Sequence, residues 1–107
     1  MSKFLVLFRR NPVAPFPSYF EESLKFFEKV WATIDDLIKK GEITEMGTFL
    51  DGVSGYIIAE GDSVTTLKNL SMFTPFWNFE VHEIVPYPKS REIFTGIMKA
   101  RIESTKK

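Results

Sequence analysis

The sequence predicts an α+β domain of the ferredoxin-like type: a βαββαβ order with a four-stranded antiparallel sheet, followed by an extra C-terminal helix. Three observations carry this. Short apolar runs alternate with segments whose apolar residues recur every three or four positions. Pro, Gly and Asp clusters punctuate nearly every boundary. The 107 residues, 44% of them hydrophobic and 15% aromatic, suit one packed domain over 1–107.

Lys3 to Arg10 reads as the first strand, because Phe4 to Phe8 is a continuous apolar run without glycine. Residues 11–17 hold Pro12, Pro15 and Pro17 and form a loop, since proline supplies no amide donor. Ser18 and Glu21 have capping-box spacing. From there a helix of about six turns runs to Lys40. Phe20, Leu24, Phe27, Trp31, Ile34 and Ile38 paint one apolar stripe along it, expected to be core. Gly41 suits the left-handed cap.

Glu42 to Leu50 is the second strand, and Asp51-Gly52 with Ser54-Gly55 has hairpin turn chemistry. Tyr56 to Glu60 is the third strand. Asp62 or Ser63 caps a second helix, with Val64, Leu67, Leu70 and Phe73 facing inward. Pro75 ends that helix, and Phe79 to Val85 forms the fourth strand. Residues 89–104 form the extra helix, opened by Ser90, with Ile93, Phe94, Ile97 and Met98 on its apolar side, and the tail ESTKK is expected to fray.

Right-handed crossovers place the two main helices on one face of the sheet. A wetted opposite face would make the strands alternate apolar and polar, and the first strand does not alternate. The open face therefore calls for a cover. A second copy packed sheet to sheet is the expected one, with the third helix folding back as the alternative.

The motifs of residues 55–88 carry a resemblance. Gly55, Tyr56, Ile58 and Glu60, followed by Phe79, Glu80, Val81, Ile84 and Val85, look like the second half of the dimeric α+β-barrel proteins. The stretch resembles muconolactone isomerase-like members and a group of related short uncharacterised domains. The resemblance implies a homodimer with a cavity in or beside the barrel. Members of that superfamily include isomerases, cofactor-free oxygenases, dehydratases and haem-handling proteins, and a shared fold does not choose among them.

Composition excludes several functions. The 14 basic and 14 acidic residues cancel and form no basic block, so no nucleic-acid partner is expected. The N-terminal apolar run is too short for a membrane span of about 20 residues or for a secretory core. Lack of cysteine removes disulfides and thiolate sites, and it fits a cytoplasmic protein. One histidine and scattered carboxylates show no metal-site spacing, so no metal is expected, and no glycine-rich phosphate loop or other cofactor motif occurs.

His82, the single histidine, is the candidate proton-transfer group. Glu80 lies two positions earlier on the same strand face, about 6.5–7 Å away along the backbone, and is the candidate partner that orients it. The competing reading is a structural hydrogen bond. Tyr56 and a strand-end arginine, Arg9 or Arg10, are candidate ligand contacts, the arginine by bidentate capture of a carboxylate. Phe73, Phe76 and Trp77 could wall an apolar pocket or simply fill core. The expected function is a small homodimer that binds an apolar or aromatic small molecule, with isomerase or cofactor-free oxygenase as the fitting activities. The alternative is a non-catalytic ligand-sensing or protein-interaction dimer.

Overall fold

The computed structural model describes residues 2–106. Its elements run β1 (Ser2–Arg10), α1 (Phe20–Lys39), β2 (Ile43–Thr48), β3 (Ser54–Gly61), α2 (Ser63–Ser71), β4 (Trp77–Ile84) and α3 (Tyr87–Thr105). The four strands form one antiparallel sheet in the order β2-β3-β1-β4. β1 and β3, the apolar runs of the sequence, are its central strands.

Alternation along β1 sorts the sheet into two faces. Phe4 and Val6 point toward the helices and are buried, Val6 completely. They join Ile57 and Ala59 from β3, Ile43 from β2 and Leu37 from α1 in the core cluster. β2 contributes Ile43 and Met46, three apart, to the same face. An even spacing would normally be required, but the ladder slips between Ile43 and Glu45, and the extra residue turns the strand. Gly55 lies in β3 and not in the turn, and there it is buried. A Cβ at that position would collide with the Gly47 carbonyl oxygen and the Phe8 ring, so only glycine fits.

The helix faces differ from those the sequence suggests. On α1 the inward residues include Phe26, Phe27, Val30, Ile34 and Leu37, whereas Phe20, Leu24, Trp31 and Ile38 are exposed. Trp31 is 52% exposed, so it is not the buried core ring expected. Ser18 does not cap the helix: Tyr19 is the N-cap residue and makes no side-chain cap bond. The hydroxyl that ties this end down is Ser23 Oγ, which donates to the Pro17 carbonyl oxygen at 3.0 Å. On α2, Asp62 is the cap, accepting from Thr65 N at 2.7 Å. That helix is rotated so that Thr66 and Leu70 turn inward, with Phe73 packing on the core just past its end, leaving Val64 and Leu67 exposed.

α3 starts two residues earlier than expected and stays helical to Thr105, through most of the tail expected to fray. It does not fold back over the sheet. None of its residues is buried and all but Ser90 are exposed. The radius of gyration is 19.3 Å and the long axis 72 Å, against about 13 Å for the radius of a compact chain of this length. α3 is a projecting arm. Among the described residues no helix is long and apolar enough to cross a membrane.

Candidate functional site

The candidate residues fall on opposite faces of the sheet. Leu5 is paired with Ile58 on one side and His82 on the other, and Leu7 lies likewise between Tyr56 and Glu80. This puts Tyr56, Glu80 and His82 on the open face, around a half-buried apolar centre of Leu5, Leu7 and Ile58. His82 Nε2 and Glu80 Oε2 are 2.9 Å apart, the hydrogen bond expected from their spacing. In the single chain the pair faces solvent, the two side chains being 57% and 66% exposed. Strand β4 is one edge of the sheet, and among the described residues no element covers this face.

Tyr56 does not reach toward His82. Its hydroxyl donates to Glu45 Oε2 at 2.7 Å, and that hydrogen bond to a carboxylate holds the phenol above its ordinary pKa. Arg9 is also on the open face, at the far end of β1 from Lys3, with its guanidinium 4.0 Å from Asp51 Oδ2. It lines no cavity with the other candidates. Asp51 also accepts from Ser54 Oγ at 2.6 Å and from the Val53 and Ser54 amides, and these bonds hold its carboxyl below the ordinary value.

Trp77 belongs to the other face, where α1 stands off the sheet and leaves a cavity of about 150 Å³. Its walls are almost wholly apolar: Phe8, Ile57, Phe79 and Trp77 from the sheet, Phe27, Val30, Trp31 and Ile34 from α1, and Phe73. The aromatic end is well defined. Trp77 stacks on Phe26 with ring centres 6.2 Å apart and planes at 8°, while Phe16 meets it edge-on at 5.7 Å. The proline-rich loop thus backs the Trp77 ring through Phe16, and is pinned by Asn11, whose amide and side chain donate to the Phe76 and Pro75 carbonyl oxygens at 2.8 and 2.9 Å.

Arg10, neighbour of the expected Arg9, is the one charged residue lining this cavity. Alternation sends it to the opposite face from Arg9. Its guanidinium carbon lies 3.9 Å from the centre of the Phe16 ring and 5.7 Å from that of Phe27. Its backbone amide donates to the Val53 carbonyl oxygen at 2.8 Å. Among the described residues no carboxylate lies within ion-pair distance of it, in contrast to Arg9. An arginine set over a ring, with no side-chain hydrogen bond or ion pair to any described residue, is disposed to bind an anion.

Among the described residues no group of three or more His, Cys, Asp or Glu side chains is placed to hold a metal ion. Compared with protein-family models and with curated protein sequences, the chain matches none. What fold and site define is therefore a class: an α+β domain with an aromatic pocket under its long helix and a histidine–carboxylate pair on its bare sheet face.

Proposed function

We propose that the protein binds a small aromatic or apolar molecule carrying one anionic group, in the cavity between α1 and the sheet. The supporting observation is the pocket itself: an apolar chamber of about 150 Å³ with one unpaired arginine in its wall. A chamber of that volume lined by apolar side chains accepts a molecule the size of a single benzene ring. An anionic end would meet the Arg10 fork, where a charge-assisted pair forms in partly water-excluded surroundings. Trp77, Phe27 and Phe79 would face the ring.

The chain acts in this reading as a homodimer of ferredoxin-like domains, with the open faces of two sheets together as in an α+β barrel. The half-buried Leu5, Leu7 and Ile58 centre, with polar groups around it, supports that pairing. Lack of cysteine fits a reducing cytoplasm. A catalytic reading is favoured by one observation, the 2.9 Å contact between His82 and Glu80. Between two sheets, that pair would be a proton-transfer base of the sort an isomerase or a cofactor-free oxygenase uses.

Titration calorimetry with benzoate, and with benzyl alcohol as its uncharged counterpart, tests the binding reading. Benzoate should bind and quench or shift Trp77 emission, with benzyl alcohol at least tenfold weaker. Equal affinity for the two would remove the role of Arg10. No heat and no spectral change with either would sink the pocket as the site.

A further inference from the structure

We infer that α3 is an exchanged arm: in the dimer it packs along the outer face of α1 of the second copy. This goes beyond the sheet-to-sheet pairing proposed above and does not require it.

Four observations lead here. First, α3 presents an apolar side of Phe94, Ile97 and Met98, interrupted by Arg101, and among the described residues nothing packs against it. A helix of 19 residues in water without a packed face lacks the tertiary contacts that normally supply helical stability. Second, the chain has another unpartnered helical stripe. Leu24, Trp31 and Ile38 recur every seven residues on α1, each about half exposed, with Phe20 prolonging the row. At about 100° per residue this row lies about a third of a turn from the buried Leu37, so α1 can face the sheet and a second helix together. Third, the two helices match in length: 20 residues and 19 span about 30 and 28 Å.

The fourth observation is charge, and it selects the occupant. Residues 87–107 carry six Lys or Arg and two Glu, a balance of +4, whereas residues 1–86 carry eight basic and twelve acidic residues, a balance of −4. The neutrality of the whole chain conceals a basic arm and an acidic body. The acids are placed where the arm needs them. Glu21, Glu28 and Asp35 repeat every seven residues beside the Leu24–Trp31–Ile38 row. On α3, Arg91 and Arg101 fall within the apolar side itself. Apolar helix faces whose charges are opposite across the contact choose partner and register by that complementarity.

The area is sufficient. A seam about 28 Å long and about 10 Å wide covers about 280 Å². Two-fold symmetry makes each protomer contribute one arm and receive another, so its footprint is about 560 Å². The accessible area of corrugated side chains exceeds that footprint and approaches the roughly 800 Å² per partner of a stable interface.

A charge-reversed pair of full-length chains tests the assignment. One chain carries Arg91→Glu and Arg101→Glu, the other Glu28→Lys and Asp35→Lys. All four positions are exposed, so both chains should fold. By sedimentation each alone should self-associate at least tenfold more weakly than the parent, because arm and seam then bear like charges. An equimolar mixture should restore association to within about threefold, since each arm then meets an opposite seam. A second readout uses a Trp77→Phe background, in which Trp31 is the sole tryptophan. Its emission should shift to the blue on dimerisation, and Phe94→Asp with Ile97→Asp should abolish that shift. A parent that stays monomeric at 100 µM would overturn the inference. So would a dimer insensitive to the reversals, or one forming without a Trp31 shift, either of which would leave the sheet-face pairing standing alone. Binding of the monomeric chain to phosphatidylserine vesicles through α3 would overturn it in favour of a lipid surface.

Discussion

Arg10→Met separates the two roles of the cavity arginine. Methionine keeps an unbranched apolar stem of nearly the same reach and removes the guanidinium. The charge is worth most to a bound anion: a hydrogen bond to an ionised group contributes about 1.5–3 kcal/mol, and each 1.4 kcal/mol is a factor of about ten. Benzoate affinity should therefore fall roughly 12- to 150-fold, while that of benzyl alcohol changes by less than about threefold. The same substitution removes the stacking of the guanidinium at 3.9 Å over Phe16. At a partly exposed site that contact is worth about 0.5–1 kcal/mol, and methionine against the ring recovers part of it. The denaturation midpoint should move only slightly. Calorimetry with both compounds on parent and variant, together with urea titrations of both proteins, measures each of these changes. An equal loss for the charged and uncharged compounds would mean that Arg10 only shapes the wall. A large loss of stability would mean that it is a structural clamp for the proline-rich loop and no anion anchor.

Val6→Ala removes two carbons from a fully buried site in a central strand. The transfer cost is about 1.6 kcal/mol, and the cavity left behind raises the expected loss to about 2–3 kcal/mol, readable as a lower urea midpoint with unchanged slope. Gly55→Ala should destabilise at least as much, since its methyl meets a strand carbonyl and the Phe8 ring, and the variant should lose near-ultraviolet dichroism at temperatures the parent tolerates. The Asp51 carboxyl is held below its ordinary value of 3.8 by Ser54 and neighbouring amides. A depressed folded-state value means stabilisation that is full above about pH 5 and fades as pH falls through 3.8 toward the lower folded value. Asp51→Asn should flatten that part of the stability–pH curve, and a curve superimposable on the parent's would refute the assignment.

Element order was legible because local chemistry marks it. Pro12 to Pro17, Gly41, Gly52, Asp62 and Pro75 each lie at a boundary, and such residues act through their own backbone whatever surrounds them. Facing was less legible. The alternation of β4 correctly puts Glu80 and His82 side by side away from the helices. The same parity rule applied to β1 separates Arg9 from Arg10, and it indicated that only one of them could share a face with Phe8's neighbours in the core. Which one met a cavity depended on whether the space beneath α1 was filled, and no periodicity in the sequence carries that. Val64 and Leu67 show a similar limit on α2: apolar type at helical spacing permitted two rotations, and the one realised buries Thr66, whose hydroxyl donates to the Asp62 carbonyl oxygen at 3.0 Å.

The long helix holds the most instructive discrepancy. Phe20, Leu24, Phe27, Trp31, Ile34 and Ile38 alternate steps of four and three, so at about 100° per residue they form two heptad rows, Phe20–Phe27–Ile34 and Leu24–Trp31–Ile38, about 50° apart. Two rows set apart by that angle cannot both point straight at one flat support. α1 resolves the conflict by dividing the row. Phe27 and Ile34 turn toward the sheet beside Val30 and Leu37, and the others remain outside. The exposed second row fits the two-neighbour arrangement proposed above, with α1 between its own sheet and the arm of a second copy. Trp31 stands at the junction, a wall of the aromatic cavity and at the same time the centre of the bare seam. An arm that covers the seam also covers the outer side of Trp31, so ligand affinity should rise with dimerisation. Benzoate titrations at protein concentrations below and above the dimer dissociation constant measure this directly. An affinity independent of protein concentration would show that pocket and seam, though they share a residue, are energetically separate.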